Sequence, residues 1–217
     1  MSLGELPATA APATLTPVEV EAVFLFNFAQ FVAWPRTSFD NASAPLVIGI
    51  LGKDPFGSII DDVVSGERVN SRPIVIHRFF RVQDIDRCHI LFIAHSENER
   101  LPQVCAALQN RPILTVSDIK DFARRGGMIE FIEDKERIRF RIALHRARSE
   151  SLEISAKLLR PAEVVFHFPR KYEVAMKNFP TTDPEAPDLV SSFLTPTLLE
   201  LVRLPLGRNL SLPPVLR

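Results

Sequence analysis

The sequence predicts an α/β protein, a three-layer, Rossmann-like mixed sheet of about four parallel strands and an antiparallel edge hairpin, flanked by helices. Short apolar runs at 46–52, 73–77, 88–94 and 112–116 alternate with helical stretches, as in right-handed βαβ units. The run 46–52 is apolar throughout, which is typical of a strand buried on both faces. Arginine alternates with apolar residues over 137–142, and this period of two predicts a hairpin with one solvated face.

The first predicted helix covers about residues 16–33. Thr16 and Glu19 have the spacing of a capping box, and the Trp34-Pro35 pair ends the helix. Apolar residues surround almost its whole circumference, which indicates burial on more than one side. Two interpretations stay open: a core helix only, or a core helix that also forms a homodimer face through Phe24, Phe28 and Phe31.

Four further helical segments are predicted after the first strand. Asp54-Pro55 begins a helix through about Val64, and Ser96 with Glu99 resembles a second capping box for a helix to about 109. A short helix from 117 is expected to end at Gly126 in a left-handed C-cap, before strand 128–132 of the hairpin. The last predicted helix covers residues 149–160.

Composition sets the domain organisation and excludes some function classes. The 217 residues carry equal numbers of basic and acidic side chains, so no field steers nucleic acid to the chain. No run is long and apolar enough for membrane insertion. We expect a flexible segment at 1–15, an α/β domain at 16–165, and a proline-rich, partly disordered extension at 166–217. The first segment has the composition of neither a signal peptide nor a membrane-spanning helix, and it is consistent with the start of a mature protein after a signal peptide is removed.

Polar residues follow three of the predicted parallel strands. Because the carboxyl ends of parallel strands meet at one edge of the sheet, these residues should lie together there. They give a possible anion-binding crevice, whereas the other interpretation is a set of ordinary loops with helix caps. We call the group the Lys53 crevice, and it consists of Lys53, His95, Ser96 and Ser117.

The sequence offers no catalytic constellation, metal site or cofactor motif. The five histidines lack the spacing of zinc ligands, and no nucleophile can be paired with a base. Cys88 and Cys105 allow two interpretations, a disulfide that closes a loop of about 17 residues or two buried free thiols that pack as small apolar groups. We therefore predict a protein that is not an enzyme and binds neither metal nor cofactor.

An ordered set of short motifs over about residues 18–165 resembles the YfiR-like family. The set comprises Phe24-Leu25-Phe26-Asn27-Phe28-Ala29, Trp34-Pro35, Gly52 with Asp54-Pro55-Phe56-Gly57, Cys88-His89-Ile90-Leu91-Phe92-Ile93, Leu114-Thr115-Val116-Ser117-Asp118, Gly126-Gly127-Met128-Ile129 and Ile154-Ser155-Ala156-Lys157-Leu158-Leu159-Arg160. Some relatives carry further cysteines near the Gly-Gly pair, and this chain has none there. The tail after Val165 does not match the family pattern.

The resemblance implies a periplasmic, dimeric, non-catalytic regulator. Such a protein would bind the periplasmic domain of an inner-membrane diguanylate cyclase and repress it, which lowers cyclic di-GMP and biofilm formation, and its cysteines would be redox-sensitive. An alternative is a small-ligand or anion sensor that uses the Lys53 crevice and serves another membrane partner, such as a histidine kinase. The hairpin and last helix are the expected partner-binding surface, through Arg139, Phe140, Arg141 and Glu153.

Overall fold

The computed structural model of the chain describes residues 15–134, 137–160 and 162–164. An eight-stranded mixed sheet has the order β10-β8-β7-β6-β5-β2-β4-β3, and a separate two-stranded sheet joins β1 and β9. The strands are β1 Val32–Ala33, β2 Leu46–Leu51, β3 Arg68–Val69, β4 Arg72–Phe79, β5 Ile90–Ile93, β6 Leu114–Ser117, β7 Ile129–Asp134, β8 Arg137–Ile142, β9 Glu153–Ile154 and β10 Glu163–Val164.

Five neighbouring strands, β4, β2, β5, β6 and β7, are parallel. Every residue of β2, β5 and β6 is buried, which is the reason that these segments are apolar runs without alternation. The strand β8 pairs antiparallel with β7, as the alternating arginines predict, and β10 adds a short parallel strand beyond it. The hairpin therefore stands next to the edge of the sheet, with β10 outside it.

Five α-helices accompany the sheet: α1 Pro17–Phe31, α2 Ile59–Val64, α3 Leu101–Ala107, α4 Leu144–Ser149 and α5 Ala156–Leu159. The helices α1 and α2 contact each other, and α1 also packs on β8. On the other face, α3 covers an apolar cluster that includes Leu91 and Ile93 of β5. All described helices and strands belong to one compact unit.

The mixed α/β sheet with flanking helices is confirmed, whereas a Rossmann-like layout is not. Only turns connect β6 to β7, where the sequence predicts a helix over 117–126. Gly126 has the expected positive φ of 110°, and the N–H of Gly127 donates to the carbonyl of Phe122. A side chain at Gly127 would collide with the ring of Phe122, so this turn requires a glycine there.

Three other predicted helix boundaries are wrong. The helix expected from Asp54 begins at Ile59, because Asp54 Oδ1 instead accepts the N–H groups of Phe56 and Gly57 in a turn. A 3₁₀ helix, His95–Arg100, precedes α3 where a single capped helix is expected. The last helix, expected over 149–160, is wrong in its first half: α4 ends at Ser149, the chain turns at Ser151 with a φ of 60°, and α5 forms only after β9.

Residues 1–14 and 165–217 lie outside the described residues. The predicted flexible start and the proline-rich extension therefore stay predictions.

Candidate functional site

The imidazole of His89 lies at the amino end of the parallel strands and is buried. Its Nδ1 accepts the backbone N–H of Val47 at 3.0 Å, and its Nε2 lies 3.1 Å from the carbonyl oxygen of Ser38. One nitrogen is thus an acceptor and the other a donor, which is the pattern of a neutral ring. Burial lowers the pKa of His89 to about 4, so the ring stays neutral at physiological pH.

Aromatic side chains from the segment after α1 enclose this histidine. The indole Nε1–H of Trp34 donates to the carbonyl of His89 at 3.0 Å, and the ring of Phe39 stacks on the imidazole at 4.3 Å. The guanidinium of Arg72 covers the other side of Phe39, 3.9 Å from its centroid. The Trp34-Pro35 motif and His89 together therefore attach the end of α1 to the sheet, which is a structural role.

The structure brings the loops after β2 and β5 together at the opposite, carboxyl end of the strands. The backbone N–H of Lys53 donates to Ser96 Oγ at 2.9 Å, so Ser96 connects the two loops and caps no helix. Gly52 has a φ of 93° and lies against the side chains of Ser96 and Glu97. Lys53 and His95 are both exposed beside this contact.

Two observations reduce the anion-binding capacity of the Lys53 crevice. The side chain of Ser117 is buried, donates to the carbonyl of Ile93 at 2.7 Å and accepts the N–H of Ile119, so its prediction as an anion ligand is wrong. The buried carboxylate of Glu97 lies against Gly52, with Arg100 as its ion-pair partner at 2.8 Å. A carboxylate beside Gly52 disfavours a further negative charge at the same place.

Acidic side chains gather near the carboxyl ends of β6 and β7. Burial, together with the charges of Asp118 and Glu133, raises the pKa of Glu21 of α1 to about 8. Burial also raises the pKa of Asp118, against a smaller opposing effect of His95. Glu21 is therefore largely protonated at neutral pH.

The predicted homodimer face on α1 is largely internal. The rings of Phe24 and Phe28 contact Phe131 of β7 and Phe140 of β8, with centroid separations between 5.3 and 6.1 Å. Both α1 phenylalanines are buried within the chain, so they are not available to a second copy in this arrangement. Phe31 is half-buried at the end of the helix. The interpretation of α1 as a core helix explains Phe24 and Phe28 completely.

Two of the hairpin residues proposed to bind a partner lie inside the domain. Phe140 is 1% exposed and belongs to the aromatic core described above, so its prediction as a surface residue is wrong. Arg141 is also internal, because only 15% of its side chain is exposed and its Nη1 lies 3.2 Å from Glu130 Oε1. The alternation of the strand sends Phe140 to the α1 face and Arg141 to the opposite face, and both faces are covered there.

Glu130 is the important residue of this region that the sequence prediction omits. Its buried carboxylate accepts the backbone N–H groups of Asp121 and Ala123, at 2.9 and 3.2 Å, in addition to Arg141. The carboxylate thereby connects the turn before Gly126-Gly127 with both hairpin strands. A glutamate in the apolar strand 129–132, with arginines in the facing strand, is the signal that could have indicated this pair.

Arg139 and Glu153 are the exposed members of the predicted partner surface. Arg139 lies opposite half-buried Ile132 in the hairpin. Glu153 is in β9 and not in a helix, and it lies opposite Ala33 at the end of α1. These two positions are on different sheets, so the structure does not place them in one continuous strand surface.

Both cysteines are free thiols in the structure, and Cys88 is buried while Cys105 is half-buried. Burial raises the pKa of Cys88 to about 12, and burial also raises that of Cys105. The sulfur of Cys88 lies 2.9 Å from the carbonyl oxygen of Ile90. A methyl at Gly126 would contact Cys105 at 3.6 Å, so the half-buried thiol lies beside the Gly-Gly turn.

Within the described ranges, no three His, Cys, Asp or Glu residues are arranged to hold a metal ion. None of the helices in that part of the chain has both the length and the apolar character needed to cross a membrane.

In comparisons with known proteins, no curated protein matches the chain. A family model described as YfiR/HmsC-like matches residues 18–163, which include every described helix except the first residue of α1. The chain belongs to the YfiR/HmsC-like family.

Proposed function

We propose that this protein is a non-catalytic periplasmic regulator that binds the periplasmic domain of a membrane-bound diguanylate cyclase and represses the enzyme. The observation that carries the proposal is the family match over residues 18–163, since regulation of such a cyclase is the role that the YfiR-like resemblance implies. Repression would lower cyclic di-GMP and thereby biofilm formation. The proposal includes a homodimer as the acting form.

The internal chemistry of the domain supports a binding role. Three polar side chains of the described residues that could act as nucleophile or base are engaged in structural hydrogen bonds: Ser117 holds a turn, His89 connects β2 with the segment after α1, and Glu130 holds the hairpin. Groups fixed in this way stabilise the fold, whereas an active site needs a nucleophile and a base that meet at an accessible position.

We place partner contact at Arg139, on the exposed part of the hairpin, with Glu153 as a second position. An exposed charge at a rim mainly directs association and selects the partner. Charge reversal should therefore weaken binding without unfolding the domain, because neither side chain is buried. Phe140 and Arg141 are excluded from this surface because both support the hairpin from inside.

The test compares Arg139→Glu with Arg36→Glu, a control that carries the same charge change at an exposed arginine outside the hairpin. Glu153→Lys is measured as a second variant without this control, because Glu153 lies opposite Ala33, close to Arg36. Binding to the isolated periplasmic domain of the cyclase is measured by calorimetry, and cyclic di-GMP is measured in cells that express both proteins. We expect at least a tenfold loss of affinity for the Arg139 variant and normal binding for the control. Full repression by both reversed variants would reject this surface, and failure of the wild type to bind would reject the cyclase as partner.

A second candidate function is a sensor of small anions that serves another membrane partner, such as a histidine kinase. The favourable observation is that the loops of Lys53 and Ser96 meet at the carboxyl ends of β2 and β5. The buried carboxylate of Glu97 beside Gly52 argues for weak binding. Thermal unfolding with phosphate and nucleotides tests it, because a ligand of the native state raises stability. A shift that Lys53→Ala removes would favour the sensor.

A further inference from the structure

The outer edge of β4 is unpaired over most of its length in the part of the chain that the structure describes. The short strand β3 pairs only with Arg72 and Pro73, at the beginning of β4. On the inner side, the N–H of Gly52 donates to the carbonyl of Phe79, so the backbone groups of Phe79 face β2. Because these groups alternate in direction along a strand, every second residue directs its N–H and C=O outward. The outward-facing residues are Ile74, Ile76, Arg78 and Phe80.

This edge lacks the features that usually prevent strands from associating. Such features are lysines, prolines, bulges and inward-pointing charges along the strand. Between residues 74 and 80 the only permanent charge is Arg78. Its guanidinium pairs with Asp54 and Asp61, and this pairing raises the pKa of Arg78. The one permanent cation on the edge is therefore compensated within the chain and does not repel a second strand.

Phe80, directly after β4, is the large apolar side chain that the described residues leave most exposed, at 83%. By the alternation of the strand it lies on the same face as Ile74 and Ile76. An exposed phenylalanine at the end of an unpaired edge is unfavourable in an isolated chain, because water contacts nearly the whole ring. A strand added to β4 would cover it.

We propose that a second copy of this chain pairs antiparallel with β4 across a two-fold axis at His77. In this register Phe80 of one copy lies opposite Ile74 of the other, and Ile76 lies opposite Arg78. All outward-facing residues then meet outward-facing residues, so each of these pairs is a hydrogen-bonded pair. An aromatic side chain opposite a β-branched one is a favourable cross-strand pair. The two sheets would become one continuous sheet.

The side chains of the free edge complement one another in a second copy, because Phe80 of each copy covers Ile74 of the other. The free segment starts at Ile74, where β3 ends, and extends to Phe80, with His77 at its centre. A two-fold axis shifted by one residue towards Ile76 would place Phe80 opposite Arg72, which β3 already occupies. The register centred on His77 is thus the one that uses the free segment completely. The inference gives the proposed homodimer a surface, in place of Phe24 and Phe28, and does not depend on the regulatory role.

The first experiment measures the mass of the full chain in solution by sedimentation equilibrium over a wide concentration range. We expect a dimer for the wild type and at least a tenfold higher dissociation constant for Phe80→Glu. Gln103→Glu is the matched control, because it adds the same charge at an exposed position of α3 on another surface. A wild type that stays monomeric at the highest concentration, or a Phe80→Glu dimer as tight as the control, would overturn the proposal.

The second experiment tests the register. His77 residues that face each other in a non-hydrogen-bonded pair have Cα atoms roughly 4.5 Å apart, a separation that a disulfide can span. In a Cys105→Ser background, His77→Cys should give a disulfide-linked dimer under mild oxidation, whereas Gln83→Cys, at an exposed position of the next turn, should not. Equal cross-linking at both positions, or none at position 77, would contradict the axis. If a dimer forms but position 77 does not cross-link, the dimer uses another surface. The outcomes of these two experiments do not test whether the protein represses a cyclase.

Discussion

The imidazole Nδ1 of His89 accepts the backbone N–H of Val47 across 3.0 Å, and this bond connects the amino ends of β5 and β2. It forms only when the ring is neutral, because a protonated imidazole has no acceptor nitrogen. The same residue supports Trp34 through its carbonyl and Phe39 through its ring. Two of the family motifs, 34–35 and 88–93, therefore meet at one titratable side chain.

Acid should destabilise the protein through His89. The folded-state pKa, about 4, lies below the ordinary value of 6.5, so the stabilisation is present above pH 6.5 and is lost as pH falls through 4. The difference corresponds to on the order of 3 kcal/mol in the free energy of unfolding. Urea unfolding between pH 7 and 4 measures it. His89→Gln, which keeps an acceptor but no titration, should lose less stability over this range, and an equal loss would contradict the assignment.

Glu21 should have the opposite effect on stability at high pH. Its folded-state pKa of about 8 lies above the ordinary 4.5, so the protonated form stabilises the fold below pH 4.5. That contribution is lost as pH rises through 8, because the ionised carboxylate is buried and close to Asp118 and Glu133. Each pH unit of this difference is worth about 1.4 kcal/mol. Glu21→Gln should flatten the decline between pH 6 and 9, and unfolding curves with unchanged pH dependence would contradict the prediction.

The ion pair of Glu130 and Arg141 should be essential for the stability of the hairpin. Removal of one partner from a buried pair leaves an uncompensated charge and costs about 3–5 kcal/mol. Glu130→Ala also removes the acceptor for the N–H groups of Asp121 and Ala123. We expect Glu130→Ala and Arg141→Ala to lower the free energy of unfolding in this range. Arg139→Ala, at an exposed neighbour, should change it by less than about 0.5 kcal/mol. Similar losses at 139 and 141 would show that exposure does not distinguish them.

The two thiols should differ in reactivity in the native protein. Cys88 is buried and its pKa is raised to about 12, so little thiolate forms at pH 7.5. Cys105 is half-buried beside Gly126, so reagents can reach it more easily. We expect iodoacetamide to modify Cys105 first, as measured by mass spectrometry of peptides. In denaturant without reductant both thiols should react, and a count below two would indicate that they are oxidised in the isolated protein.

Much of the fold follows from local patterns in the sequence. The runs 46–52, 88–94 and 112–116 overlap β2, β5 and β6, because strands buried on both faces are mostly apolar. The alternating arginines indicate the hairpin, and Gly126 has the positive φ expected of it. The helix boundaries are less well predicted, since Asp54 and Ser96 have the sequence of caps but bind a turn and a neighbouring loop instead.

Whether the predicted site residues are accessible depends on the tertiary structure more than the positions of the strands do. Period two shows that Phe140 and Arg141 face opposite sides, but it does not show which sides are covered. Both are internal, because α1 covers one face and Glu130 neutralises the arginine on the other. Ser117 likewise follows a strand as a ligand would, yet its hydroxyl is used by Ile93 and Ile119.

The sequence by itself determined the α/β class, the parallel strands and the hairpin, because backbone periodicity and glycine geometry act over a few neighbouring residues. Only the tertiary structure decided which polar groups remain accessible. It buried His89 and Glu130, half-buried Arg141 beside Glu130, and left Arg139 exposed. Exposure depends on which distant segments pack against a face, and the sequence of that face does not contain this information.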